Sequence, residues 1–316
     1  MPVQVKQTAQ EIQTFTIVGL GALGTLFGHI LEEHMPKADL RVLADPVRVA
    51  RYRRDNVYSN GVPCNFQYVT TEDKASPADL LLVAVKATQL KDALQTMRGH
   101  VGPHTLILSL LNGISSEEII AAEYGREKVV DCIAYGMDAV KKGNRLTYSQ
   151  TGKLCIGTHI SGPPTGPVQK IARFFERTSC PYEVSETMGK VMWGKLMLNV
   201  GVNQTVAVFG PDYSAILKSG EQRDIMIAAM REVIELSKFE GVNLTEDDLQ
   251  GWLDVLDTMH PSNKPSMRQD VEAKRPSEVM LFSGTVLALG EKYGVDTPVN
   301  RMLYGRILQI ESKYPA

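Results

Sequence analysis

Cysteine is scarce and poorly placed for chemistry. The four thiols, Cys64, Cys132, Cys155 and Cys180, contain no C-x-x-C pair and have no histidine at ligand spacing, so the common zinc frameworks are excluded and free thiols with no metal are expected. A charge of one sign is lacking too. With 34 basic against 36 acidic residues and a net charge of −2, the chain offers no basic face, and nucleic acid is not expected as a partner. No stretch reaches the roughly 20 apolar residues that span a bilayer. Residues 1–13 are polar and lack the apolar core of a signal peptide, which predicts a cytoplasmic protein with a loose N-terminal extension and no membrane partner. The six histidines do not gather with carboxylates in a triad or metal pattern.

What is present is enough apolar residue, 43% of 316, for two cores. Up to about Tyr182 short β-like runs alternate with helices and Gly/Pro turns, whereas from Ser185 the pattern is helical, with amphipathic or apolar segments at 223–239, 246–259 and 277–293. The expected fold is therefore α/β: an N-terminal Rossmann-like parallel-sheet domain over residues 1–183, followed by an all-helical domain over 184–316. The apolar C-terminal helices suit a homodimer.

The apolar run Phe15 to Val18 leads into Gly19-Leu20-Gly21-Ala22-Leu23-Gly24 and then a helix. In such a turn the first glycine permits the bend, the second lets backbone amides approach a pyrophosphate, and the third lets helix and strand pack closely. A second strand, Leu40 to Ala44, ends at Asp45-Pro46, where an adenosine ribose belongs. A carboxylate there accepts from the ribose hydroxyls of NADH and repels the 2′-phosphate of NADPH; a turn aspartate before proline is the alternative. Arg48, Arg51, Arg53 and Arg54 lie close behind it and complicate that preference. Two further apolar runs end in Lys86 and in Asn112-Gly113. Strand topology sets both at the ligand edge of the sheet, although a solvated lysine and an ordinary turn asparagine would look the same.

In the second half, Lys195, Asn199 and Asn203 stand four apart in an otherwise apolar stretch, so on a helix they share one face. That polar stripe is a candidate active-site wall; a merely wet helix face is the alternative.

With these motifs in order, the chain resembles the ketopantoate reductase (2-dehydropantoate 2-reductase) family. Ser266-Met-x-Gln-Asp270 and Glu278 extend the match. The resemblance implies NAD(P)H-dependent reduction of 2-dehydropantoate to pantoate for pantothenate synthesis. It makes Lys195 the proton donor and places Asn112 against cofactor and substrate. It also implies that Asn199, Asn203 and Ser266 bind the substrate, that Glu278 organises the site, and that Lys86 contacts the cofactor. A glutamate in the first turn of a helix can also serve the helix dipole alone. The sequence departs from the family at Asp45, where arginine and NADPH are usual, and at Met280 and Ser283. A reductase of another 2-oxo acid or an opine-type dehydrogenase is the alternative those departures raise; a cofactor-sensing protein without turnover is a further one.

Overall fold

Alternate side chains of the central strands serve two different cores. On one side of the sheet lie Phe15, Ile17, Leu80, Leu82, Leu106 and Leu108. On the other lie Val18, Leu81, Val83 and Ile107. This two-sided burial is why these strands carry apolar residues on both faces rather than in strict alternation. The computed structural model describes residues 11–73 and 75–314. The first half runs β1 (Phe15–Val18), α1 (Ala22–Glu32), β2 (Leu40–Leu43), α2 (Pro46–Asp55), β3 (Tyr58–Ser59), β4 (Val62–Pro63), β5 (Gln67–Val69), β6 (Leu80–Val83), α3 (Leu90–Met97), β7 (Leu106–Ser109), α4 (Ser116–Tyr124), β8 (Val129–Met137), β9 (Val140–Lys142), β10 (Arg145–Thr147), β11 (Thr151–Gly157), α5 (Gly166–Arg177) and β12 (Tyr182–Ser185).

Eight strands form one sheet in the order β12-β11-β8-β7-β6-β1-β2-β5, parallel apart from the β8–β11 pairing. The order reverses at β1, the switch point where open α/β sheets bind ligands beyond their strand ends. A four-stranded sheet, β4-β3-β10-β9, has strands of two or three residues, too short to be seen in the sequence pattern.

The N-terminal extension is not loose where it is described. Ile12 is fully buried in the sheet-domain core, and Asp79 Oδ2 accepts from the backbone N–H groups of Gln13 and Thr14, each at 2.9 Å. A polar composition concealed one apolar anchor and one carboxylate that satisfies the backbone donors. The rest of that expectation falls on residues 1–10, outside the described residues.

The second half is helical throughout its described residues: α6 (Met188–Leu198), a π-helical turn at Asn199–Asn203, α7 (Gln204–Phe209), α8 (Ser214–Leu217), α9 (Glu221–Phe239), α10 (Glu246–Asp257), α11 (Ser266–Glu272), α12 (Ser283–Tyr293) and α13 (Pro298–Glu311). The chain divides into two units. One ends at Met188 and omits Asn112–Ser115; the other takes Asn112–Ser115 together with the chain from Gly189.

The expected apolar helix over 277–293 is broken. A 3-10 turn, Val279–Leu281, is separated from α12 by Phe282, whose ring is buried and whose φ and ψ are −102° and −96°. Past the break, Gln204 Oε1 accepts from the Ser283 N–H at 3.2 Å, so a buried side chain serves the new helix start.

Glu232 of α9 performs the same service for α13. Its carboxylate accepts from the Val299 N–H (2.8 Å), the Asn300 N–H (3.0 Å) and Asn300 Nδ2 (2.7 Å). Glu232→Ala would strand those buried donors at a helix N-terminus, and a loss of about 2–4 kcal/mol is expected. Urea unfolding checks this: the midpoint should fall with the slope unchanged, and an unmoved midpoint would refute it.

Candidate active site

The first group of expected site residues lies at the strand ends of the sheet unit. Gly19 follows β1 with φ +100°, and a Cβ there would sit 2.7 Å from the Ala84 carbonyl oxygen beyond β6. A Cβ on Gly24 would collide with the Gly19 carbonyl group. Both are glycines because the protein itself demands it. Gly21 differs: its φ is −70° and a Cβ would meet its nearest protein atom, Ala84 O, at an ordinary 3.5 Å. Gly21 is also the residue before α1, and no side chain caps that helix. The amides of Ala22, Leu23 and Gly24 thus open the helix with the polarity that suits an anion. A turn that packs without needing its middle glycine, ahead of an uncapped helix, fits a dinucleotide pyrophosphate. Leu20, between the glycines, is buried.

Asp45 follows β2 and caps α2, its Oδ1 accepting from the Arg48 N–H at 2.8 Å and its Oδ2 lying 3.4 Å from Arg48 Nε. The turn role weighed for it is therefore real, and the carboxylate remains 44% exposed, so capping does not preclude a ligand. The arginines behind it are partly engaged: Arg53 donates to the Tyr68 carbonyl and Arg54 pairs with Asp55. Lys86, beyond β6, is exposed at the start of a 3-10 turn.

Sequence reasoning missed Lys141. From β9 its ammonium donates to the Leu20 carbonyl inside the glycine turn and, at 2.9 Å, to the buried Thr25 hydroxyl in α1. Burial lowers its pKa to about 8. No local motif announces a lysine 121 residues from the turn it touches.

The second group lies in the helical unit. Asn112 Nδ2 donates to Glu278 Oε2 at 2.8 Å. Gly113, with φ +89°, lets the chain turn beside Leu281, whose carbonyl would be 3.4 Å from an added Cβ. Glu278 precedes the 3-10 turn rather than opening a long helix, so its carboxylate works in this contact and not chiefly on a helix dipole.

Lys195 lies on α6, half-buried, and Asn199 one turn further opens the π-helical turn. The expected stripe on a regular α-helix is thus altered: the turn widens where Gly201 meets α9, whose Met226 carbonyl would be 3.0 Å from a Cβ. Such π turns gather at functional sites. Asn203 is 6% exposed and committed to the protein. Its Oδ1 accepts from Ser266 Oγ (3.1 Å) and the Met267 N–H (3.2 Å), while its Nδ2 donates to Asn199 Oδ1 (3.0 Å). Asn203 therefore orients Asn199 and Ser266, and the Asn199 amide N–H₂ is the donor left over by this chain of bonds.

Among the described residues, His29, Glu32 and Cys64 come within metal-ligand reach of one another. Their electrostatics oppose a metal. A hydrogen bond to Glu32 raises the His29 pKa and burial pushes the Cys64 thiol up to about 12, and both shifts oppose the deprotonation a metal ion requires of its ligands.

A doubly wound sheet with a glycine turn at its switch point, joined to a helical unit carrying a lysine and a hydrogen-bonded pair of asparagines, defines a Rossmann-type two-part protein. Comparison narrows that class. Residues 15–160 match the family described as Ketopantoate reductase PanE/ApbA, and residues 187–311 match its C-terminal part. The chain belongs to the ketopantoate reductase family. It is 25% identical over 304 residues to the 2-dehydropantoate 2-reductase of Aquifex aeolicus, covering 92% of this chain and 95% of that protein. Its identity to the Vibrio cholerae 2-dehydropantoate 2-reductase is 27%, over 75% of this chain and 79% of that one. Among solved structures, the 2-dehydropantoate 2-reductase of Geobacter metallireducens superposes with a TM-score of 0.82 at 25% identity, covering 94% and 99% of the two chains. A complex of D-mandelate dehydrogenase with NADH superposes with a TM-score of 0.85 at 20% identity, covering 96% and 100%, which is a likeness of fold. No helix among the described residues is long and apolar enough to cross a membrane.

Proposed function

We propose that this chain is an NAD(P)H-dependent reductase that converts 2-dehydropantoate to pantoate. The observation that carries the reading is the Ser266–Asn203–Asn199 chain of hydrogen bonds, which begins one helical turn beyond Lys195. When bound, the nicotinamide cofactor supplies a hydride to the ketone carbon. Gly21 and the first amides of α1 hold its pyrophosphate, Asp45 its ribose, and Lys86 and Asn112 further parts. Lys195 donates a hydrogen bond to the ketone oxygen, stabilises the negative charge that develops there and passes it a proton, completing the alcohol. Asn199 and Ser266 receive the substrate's carboxylate and hydroxyl groups from positions fixed by Asn203. Glu278 fixes the Asn112 carboxamide.

In this reading Asp45 gives a preference for NADH, because its carboxylate repels a 2′-phosphate. Initial rates of 2-dehydropantoate reduction with NADH and NADPH test both claims. NADH should be favoured at least about tenfold, the equivalent of roughly 1.4 kcal/mol of repulsion, and Asp45→Asn should narrow the ratio. Equal use of both nucleotides would remove the Asp45 assignment; no turnover with either would remove the substrate.

A further inference from the structure

The amino end of α1 is an unusual place for a lysine. A helix N-terminus carries partial positive charge and favours anions, so an ammonium beside it is repelled as well as desolvated. Lys141 nevertheless reaches there from β9, donating to the Leu20 carbonyl and to the Thr25 hydroxyl, which is fully buried. No carboxylate pairs with Lys141 among the described residues. The charged and titratable groups acting on it are Arg51 of α2, which repels it, and Cys64 beyond β4, whose thiol is held protonated by burial. The cation therefore sits at a net cost in the nucleotide-free protein. An arriving pyrophosphate removes that cost by supplying the missing negative charge.

Resting on the dinucleotide reading above, we propose that Lys141 is a positioning residue for the cofactor: it holds the glycine turn through Leu20 and Thr25, and its charge makes nucleotide binding proton-linked. The sign follows from the surroundings. The ammonium of the free protein has its pKa lowered to about 8 by burial, and a bound anion raises it. Affinity is then full below pH 8 and falls as pH rises beyond it, because each binding event must take up a proton. Burial pushes the Cys64 thiol up to about 12, above that window.

Titration of NADH and NADPH into the full chain, followed by nicotinamide fluorescence from pH 6.5 to 9.5, tests this. The wild-type Kd should be flat up to about pH 8 and then weaken by several-fold. Lys141→Met should bind about tenfold more weakly at pH 7 and lose the pH dependence, while Lys141→Arg, charged throughout, should recover most of the affinity with a flat profile. Thermal melts identify any variant that fails to fold, and the wild-type profile alone still decides the proton linkage. A Lys141→Met protein with wild-type Kd and profile would overturn the proposal while leaving the cofactor reading standing, as would a wild-type Kd that does not change with pH. A wild-type chain that binds neither nucleotide would overturn both.

Discussion

Lys195→Met should lower kcat for the 2-oxo acid by about a thousandfold, within the range that a positioned general acid and a preorganised charge supply, and leave the nucleotide Kd within about twofold. The separation follows from the roles proposed: Lys195, on α6, meets the ketone oxygen, while the glycine turn, Asp45 and Lys86 hold the nucleotide. Methionine retains the length and apolar stem of lysine, so α6 should keep its packing and lose only the ammonium. Lys195→Arg separates the two tasks assigned to the ammonium: guanidinium keeps the positive charge but releases a proton poorly at neutral pH, and it should recover only part of the rate. Asn199→Ala, by contrast, should act mainly on KM, since the amide meets substrate groups that do not react. Single-turnover reduction together with a nucleotide titration decides the matter. Unimpaired turnover in Lys195→Met would end its assignment as proton donor.

Some of this protein could be read directly from residue order because the physics is local. The strands at Phe15, Leu40, Leu80 and Leu106 are rich in apolar residues because both of their faces are buried, and the glycine turn states its own geometry over six residues. The stripe at Lys195, Asn199 and Asn203 was visible as a period of four. Its internal division of labour was not. That Asn203 is consumed by Ser266 and Met267 depends on α11, which folds back from more than 60 residues away. The Asn112–Glu278 bond spans 166 residues and leaves no periodic trace. Phe282 interrupts an apolar segment because a buried ring and Gln204 favour a fresh helix start there, and periodicity cannot register either contact. Asp45 shows a different limit, since capping and ligand contact call for the same residue at the same place.

Gly21→Ala and Gly24→Ala, though chemically identical, should have different consequences for folding and the same consequence for the nucleotide. The Gly24 methyl would have to displace the Gly19 carbonyl, a backbone group that no rotamer change can move aside, so α1 must shift from β1. Thermal stability and nucleotide affinity should fall together. At Gly21 the methyl meets only Ala84 O at 3.5 Å and the backbone is already in a region open to alanine. The stability change should stay within about 1 kcal/mol, the usual effect of alanine at a helix N-cap. If the space over Gly21 belongs to a pyrophosphate, the same methyl occupies the anion's approach and separates it from the α1 amides. Losing two charge-assisted hydrogen bonds, each worth roughly 1.5 kcal/mol or more, should weaken NADH and NADPH binding by about a hundredfold or more. A Gly21→Ala protein that melts as wild type and has lost its nucleotide would tie that glycine to the ligand rather than to the fold, and one that binds normally would move the pyrophosphate elsewhere.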